Sequence, residues 1–236
     1  MLSNFKMQKI IILVSLGLCF SNLHSQSVDS KISGSAFVSA YDVNGKAFTA
    51  KLLENVEGSP MFSPDWNLAN VTLQNGKVAK DVPVQFNLND NQLYFKKDDI
   101  ILVFVDPVAS FEFAYSDNGV KRLAHFSNGY PAIQKNTEET YYQVLANGPM
   151  QLLKYAYKKP AQIAEYNQTS KYEYQLWKEL YAYNTSTKKI VKIKDKLSLT
   201  SSFPAYANAI NDYAAQKNSK LKTEAELIDL FNALNQ

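Results

Sequence analysis

A mainly β fold is what this sequence predicts: an antiparallel meander (a sandwich, barrel or curved sheet) closed by two short C-terminal α-helices. Three observations carry that expectation. Short segments of alternating apolar and polar residues follow one another from Gly34 to about Leu199. Asn-Gly and Asn/Asp-rich turns separate them. Only in the last stretch does the apolar spacing change to the helical repeat.

The first residues stand apart from this pattern. Lys6 and Lys9 precede the apolar run from Ile10 to Leu18, and small polar residues take over from Ser21. Charge, short apolar core and small polar residues, in that order, make a secretory signal. The run is short for a membrane-spanning helix. We assign 1–25 to the signal, 26–199 to the β domain and 200–236 to a helical hairpin packed on it. Cleavage before Gln26 is preferred over cuts after Ser21 or Ser27 positions. Lipid attachment at Cys19 would need a small residue before it, and Leu18 stands there. The expected location is therefore outside the cytoplasm: periplasmic, outer-membrane-associated or extracellular, and not transmembrane once the signal is removed.

Each β element then follows in order. Val71 to Leu73 runs into Asn75-Gly76, whose residues accept the positive φ of a tight hairpin. Val84, Phe86 and Leu88 alternate with Gln85 and Asn87, and Leu93 and Phe95 alternate with Tyr94 and Lys96 beyond the turn at Asn89-Asp90-Asn91. The run from Ile100 to Val105 is apolar throughout, which predicts a strand covered on both faces. Phe111, Phe113 and Tyr115 form the next alternating set, and Asn118-Gly119 turns the chain into Val120 to Phe126. Strands follow at Tyr141–Leu145 and Met150–Tyr157. Tyr172 to Tyr183 fits either period. The β-branched Ile190-Val191 beyond Asn184 supplies a hairpin partner, so a strand is predicted. Pro204 and the spacing of Tyr206, Ala209, Ile210 and Tyr213 predict the first helix. Thr223 and Glu226, spaced as a capping box, open the second, with Leu227, Ile228, Phe231 and Leu234 on one stripe.

Composition excludes several kinds of function. Cys19 is the one cysteine in the chain and is lost with the signal, so stability rests on burial of apolar surface rather than on disulfides. With 46% hydrophobic and 13% aromatic residues there is enough for a sizeable core. The net charge of +3 falls to about +1 without Lys6 and Lys9, and Arg122 is the sole arginine, which argues against nucleic acid as a partner. With His24 also in the signal, His125 remains the lone histidine, too few ligands for a zinc site. Asp90 and the pair Asp98-Asp99 lack the spacing of a calcium loop and read as turns. No cofactor is expected.

The remaining constellations are weak for catalysis. His125 and Ser127 share a strand face, yet no strained serine elbow is present. Asp65, Asp81, Glu112 and Glu139 would have to meet in pairs to serve a hydrolase. Lys192, Lys194 and Lys196 fall on one face of the predicted last strand, as expected of a protected sheet edge. Aromatics give the candidate binding residues: Phe62 and Trp66 in a proline-marked loop, Tyr130 before Pro131, and Trp177 among tyrosines.

Gly58-Ser59-Pro60 with Phe62 and Trp66, the segment Val71 to Lys77, Asp81-Val82-Pro83-Val84 with Phe86-Asn87-Leu88, and the helix around Glu224 to Asn232 together resemble a family of uncharacterised exported β-rich proteins of Bacteroidota-type bacteria. The resemblance implies an exported β meander and brings no catalytic residue with it. The leading expectation is a non-catalytic envelope protein acting through a partner protein or as a structural component. The alternative is a binder of a small ligand, sugar or lipid in an aromatic-lined groove. A carboxylate-based envelope hydrolase ranks behind both.

Overall fold

The computed structural model describes residues 37–38, 45–47, 56–163 and 171–236. The signal segment with Lys6, Lys9, Cys19 and His24, and the expected start of the β domain at Gly34, lie outside the described residues. The strands are β1 (Phe37–Val38), β2 (Gly45–Ala47), β3 (Val56–Glu57), β4 (Asn67–Leu73), β5 (Val78–Asn87), β6 (Gln92–Lys97) and β7 (Ile100–Phe104). They continue as β8 (Val108–Asp117), β9 (Val120–Ser127), β10 (Tyr142–Ala146), β11 (Met150–Ile163), β12 (Lys171–Asn184) and β13 (Lys189–Lys192). Three helices follow: α1 (Lys196–Ser202), α2 (Ala207–Gln216) and α3 (Glu224–Leu234).

All these strands join one open, curved sheet in the order β13-β12-β11-β10-β9-β8-β4-β5-β6-β7-β2, with β1 parallel beside β5 and β3 parallel beside β12. The fold is mainly β, as the alternation predicts. Gly76 and Gly119 take φ of +83° and +80° in the hairpins at Asn75 and Asn118, the backbone those turns demand. From β4 to β13 the order departs from a simple meander once. After β7 the chain returns to the far side of β4, so that β8 pairs antiparallel with it from Ala69↔Phe113 to Leu73↔Val108. A bulge between Ala69 and Val71, opposite Asp81 at φ +55°, adds local bend. The curl is tight enough for Lys158 N–H on β11 to donate to Leu88 O beyond β5 (3.3 Å).

One face of the sheet carries two cores, and the opposite face carries a third built on Tyr142, Leu153 and Tyr181. Inside the curl, Phe86, Phe95, Phe111, Phe113 and Phe126 are sealed with Val71, Val82 and Val84, and Phe62 packs onto them from the loop before β4. At the other end, Met150, Leu152 and Ala182 receive α1 to α3 through Leu199, Ile210, Leu227, Leu230 and Phe231. The apolar stripe of α3 thus runs through Leu227, Leu230 and Phe231.

Several expectations need correction. Ile100 to Val105 is not covered on both faces: Ile100 and Val105 are more than half exposed, because β7 lies one strand from the end of the sheet. An unbroken apolar run reports no neighbour on either face. Three helices, not two, close the chain. The predicted last strand stops at Lys192, and Asp195 caps α1 by accepting from Ser198 N–H (2.7 Å) while Ser198 Oγ accepts from Asp195 N–H (3.1 Å). That capping box ends the extended run, so Lys196 lies in a helix and Lys192, Lys194 and Lys196 do not share the face of one strand. The helical part therefore begins at Lys196 rather than at residue 200.

The capping box of α3 matches the sequence. Glu226 accepts from Lys222 N–H, Thr223 N–H and Ser219 Oγ (2.9, 2.9 and 2.7 Å). These bonds, the Thr223 backbone first, hold its carboxyl down from 4.5 to about 2. A carboxyl depressed on folding stabilises above its unfolded pKa, and that contribution is lost as pH falls through the folded value. Glu226→Gln should therefore flatten the fall in melting temperature between about pH 4.5 and about pH 2. An unchanged acid limb would contradict this.

Candidate functional site

The long hairpin of β11 and β12 organises the functional surfaces. Its fourteen residue pairs run without a slip from Met150↔Asn184 to Ile163↔Lys171. Because side chains alternate along a strand, the hairpin has two unlike faces. Leu153, Tyr155, Tyr157, Trp177, Glu179 and Tyr181 point one way, while Lys154, Ala156, Lys158, Leu176 and Lys178 point the other.

The second face lines an open cleft of about 660 Å³. Its floor and apolar wall include Phe62, Leu88 and Ala156, with Leu145 and Leu176 toward the rim and Ile228 supplied by α3. Across from the hairpin stand Tyr115 and Arg122 of β8 and β9, neighbours in register. Volume and mixed lining match the sites that proteins use for small ligands.

The polar groups of the cleft fall into two kinds. Arg122 Nε is 3.0 Å from Asp117 Oδ2, and Lys154 Nζ is 2.9 Å from Glu224 Oε1, so these cations are paired. Lys158 is different. Its ammonium donates to Ser59 O (2.9 Å) and Met61 O (2.7 Å), and among the described residues no carboxylate pairs with it. Burial pushes its pKa below the ordinary lysine value. Burial likewise raises the Tyr115 phenol, with Asp117 adding to the effect. Gln143, only 6% exposed, also lines the cleft, and its Oε1 has no hydrogen-bond partner among the described residues. A sealed amide oxygen without a partner is costly.

The opposite face is a tyrosine row. Tyr130 meets Tyr142 edge-on (5.5 Å), Tyr142 meets Tyr155 (5.9 Å), Tyr155 stacks on Tyr157 (5.1 Å), and Tyr157 stacks on Trp177 (5.7 Å, 12°). Lys135 Nζ lies 3.7 Å over the Tyr157 ring. Glu179 joins the row to β13, accepting from Tyr181 Oη (2.6 Å) and pairing with Lys192 (3.0 Å).

The four aromatic candidates therefore divide. Phe62 lines the cleft, though its ring packs mainly on Phe113, Tyr115 and Phe126 as part of the core. Tyr130 and Trp177 sit at the two ends of the tyrosine row. Tyr130 is sealed, with its phenol raised to about 12 by burial, and is a packing residue. Trp177 is exposed on the face turned away from the cleft. Trp66 is half-buried ahead of β4 and belongs to neither group. The cleft lysines and Gln143 had escaped the sequence reading. Their alternation with tyrosines was visible, but nothing in the sequence showed which face would be concave.

His125, Ser127 and the turn aspartates make local contacts. His125 Nδ1 is 3.8 Å from Glu112 Oε2 across β8 and β9, with both side chains about two-fifths exposed. Ser127 Oγ instead donates to Asn128 O (3.4 Å). Asp90 accepts from Asn87 Nδ2 (3.2 Å) in its turn, and Asp98 and Asp99 occupy positive φ between β6 and β7, with Asp99 bonded to Lys96 (2.7 Å). No group of three potential metal ligands occurs among the described residues, and no described helix is long and apolar enough to cross a membrane.

No family model matches this chain, and no curated protein or solved structure is significantly similar to it.

Proposed function

We propose that this chain is an exported, non-catalytic binding protein of the cell envelope, and that the cleft beside α3 takes a small ligand. The observation that supports this reading most directly is Gln143: a buried amide with an unpartnered oxygen, set in the lining of an open, half-apolar cleft. Such an amide is what a bound ligand would satisfy. Ala156, in the middle of the lysine face, leaves room above it. Melting curves of the chain from Gln26 onward, recorded with envelope glycans and lipids, test the reading. A ligand at one hundred times its dissociation constant stabilises by about 2.7 kcal/mol. Ala156→Trp should remove the shift by filling the cleft. A shift that survives this substitution would place binding elsewhere.

A second reading, action through a partner protein, rests on the free edge of β12. On the side of β12 away from β11, among the described residues, β3 pairs with Tyr172 and Glu173 and β13 pairs from Tyr181 onward, so Tyr174 to Glu179 have no strand on that side. Leu176 and Trp177 are exposed along that edge. An open edge flanked by aromatic side chains suits strand addition by another chain.

A further inference from the structure

Resting on the cleft reading, we infer that the ligand is an anionic amphiphile, with its head held over Ala156 by Lys158 and Lys178 and its apolar body along Phe62, Leu88, Leu145 and Leu176. The inference starts from register. Ala156 faces Lys178 directly, Lys158 faces Leu176 and Lys154 faces Leu180. Lys178 is therefore the diagonal neighbour of both Lys154 and Lys158 on one sheet face, a separation of about 7–8 Å. Three like charges surround the smallest side chain of that face. Lys154 is neutralised by Glu224. Lys158 and Lys178 have no acidic partner among the described residues.

Such an arrangement is unfavourable in the empty protein. Like charges on one face repel, and a half-buried ammonium bonded only to carbonyls lacks a counter-charge. An anion bridging Lys158 and Lys178 removes both penalties. The rest of the cleft says what the anion is attached to. Half of its lining is apolar, and those side chains lie beside the lysines, not apart from them. A bare inorganic anion would leave them wet, whereas a neutral sugar would leave the two ammoniums uncompensated. The buried amide of Gln143 can then serve the linkage between head and body, turning either its oxygen or its nitrogen to the ligand.

Dodecanoate, dodecyl phosphate, dodecyl maltoside and inorganic phosphate, each below any micelle-forming concentration, separate the possibilities in a titration of the full chain. The first two should bind and raise the melting temperature, and their ratio distinguishes a carboxylate from a phosphate head. The neutral detergent and free phosphate should bind at least about tenfold more weakly. In Lys158→Gln/Lys178→Gln, dodecanoate affinity should fall about tenfold or more, while Lys188→Gln in the β12–β13 turn should leave it unchanged. If the double variant misfolds, the wild-type chain still decides: affinity should drop as salt rises from about 0.05 to about 0.5 M. Equal binding of dodecyl maltoside, equal binding of free phosphate, or no salt dependence would overturn the ligand class. A neutral sugar whose melting shift is removed by Ala156→Trp would leave the cleft standing and this inference fallen. Dodecanoate binding untouched by Ala156→Trp would dismiss both.

Discussion

Phe126→Ala is expected to lower the folding free energy by about 3–5 kcal/mol, measured as a shift of the urea unfolding midpoint. Phe126 is 1% exposed and sits where the inner face of the curl is most crowded. Its ring lies 4.9 Å from Phe111, 5.0 Å from Phe86, 5.2 Å from Phe62 and 6.1 Å from Phe113. Removing it strips contacts from four rings contributed by β5, β8 and the loop before β4. Phe86, Phe111 and Phe113 are held by strand ladders, and Phe62 by its N–H bond to Phe86 O (2.8 Å), so the rings cannot move in to fill the gap. Phe126→Leu keeps most of the volume and should cost much less. Equal effects for the two variants would mean that cavity formation is not the cause.

The second large effect is expected at the C-terminal end. Asn235→Ala should destabilise by about 2–4 kcal/mol. Asn235 Oδ1 accepts from Met150 N–H (3.0 Å), and its Nδ2 donates to Met150 O (2.8 Å) and Asn147 O (3.3 Å). The side-chain amide thus stands in for a strand residue, bonding both backbone groups of a fully sealed methionine at the start of β11. Alanine leaves an N–H and a C=O there without partners. The same contact explains Gly148 in the turn between β10 and β11, since a Cβ built there would collide with the Asn235 carboxamide. Gly148→Ala should reproduce the loss in urea titrations. Combining it with Asn235→Ala should give less than the sum, because both break one clamp. Strict additivity would mean that the clamp is not shared.

Much of this architecture is legible in the sequence because its signals are local. Asn75-Gly76 and Asn118-Gly119 turn where expected, since positive φ is a property of the turn residues themselves. The Thr223–Glu226 capping box is equally local and is present as expected. Ile190 to Ile193 mislead by the same logic: β-branching favours a strand until something stops it, and here the stop is the capping box of Asp195 with Ser198. Ile100 and Ile101 were misplaced because hydrophobicity says nothing about position in a sheet. The cleft was hidden for a stronger reason. Phe62, Tyr115, Arg122, Gln143, Lys158, Lys178 and Ile228 reach it from elements spread over most of the chain. Aromatic residues drew attention as binding candidates, yet Tyr130 satisfies packing, and the lysines that give the cleft its charge look like any solvated strand face.

The return of β8 to the far side of β4 has a consequence in time. The strands β4 to β7 can pair one after another as each leaves its turn, but Leu73 meets Val108 only after that whole block has been laid down. β9 and β10 in turn need β8 in place before the sheet can grow toward the β11–β12 hairpin. Refolding should therefore be governed by this late non-local closure, in the millisecond-to-second range typical of sheets with distant pairings. Weakening β8 should slow that phase, whereas shortening the helices should mainly speed unfolding.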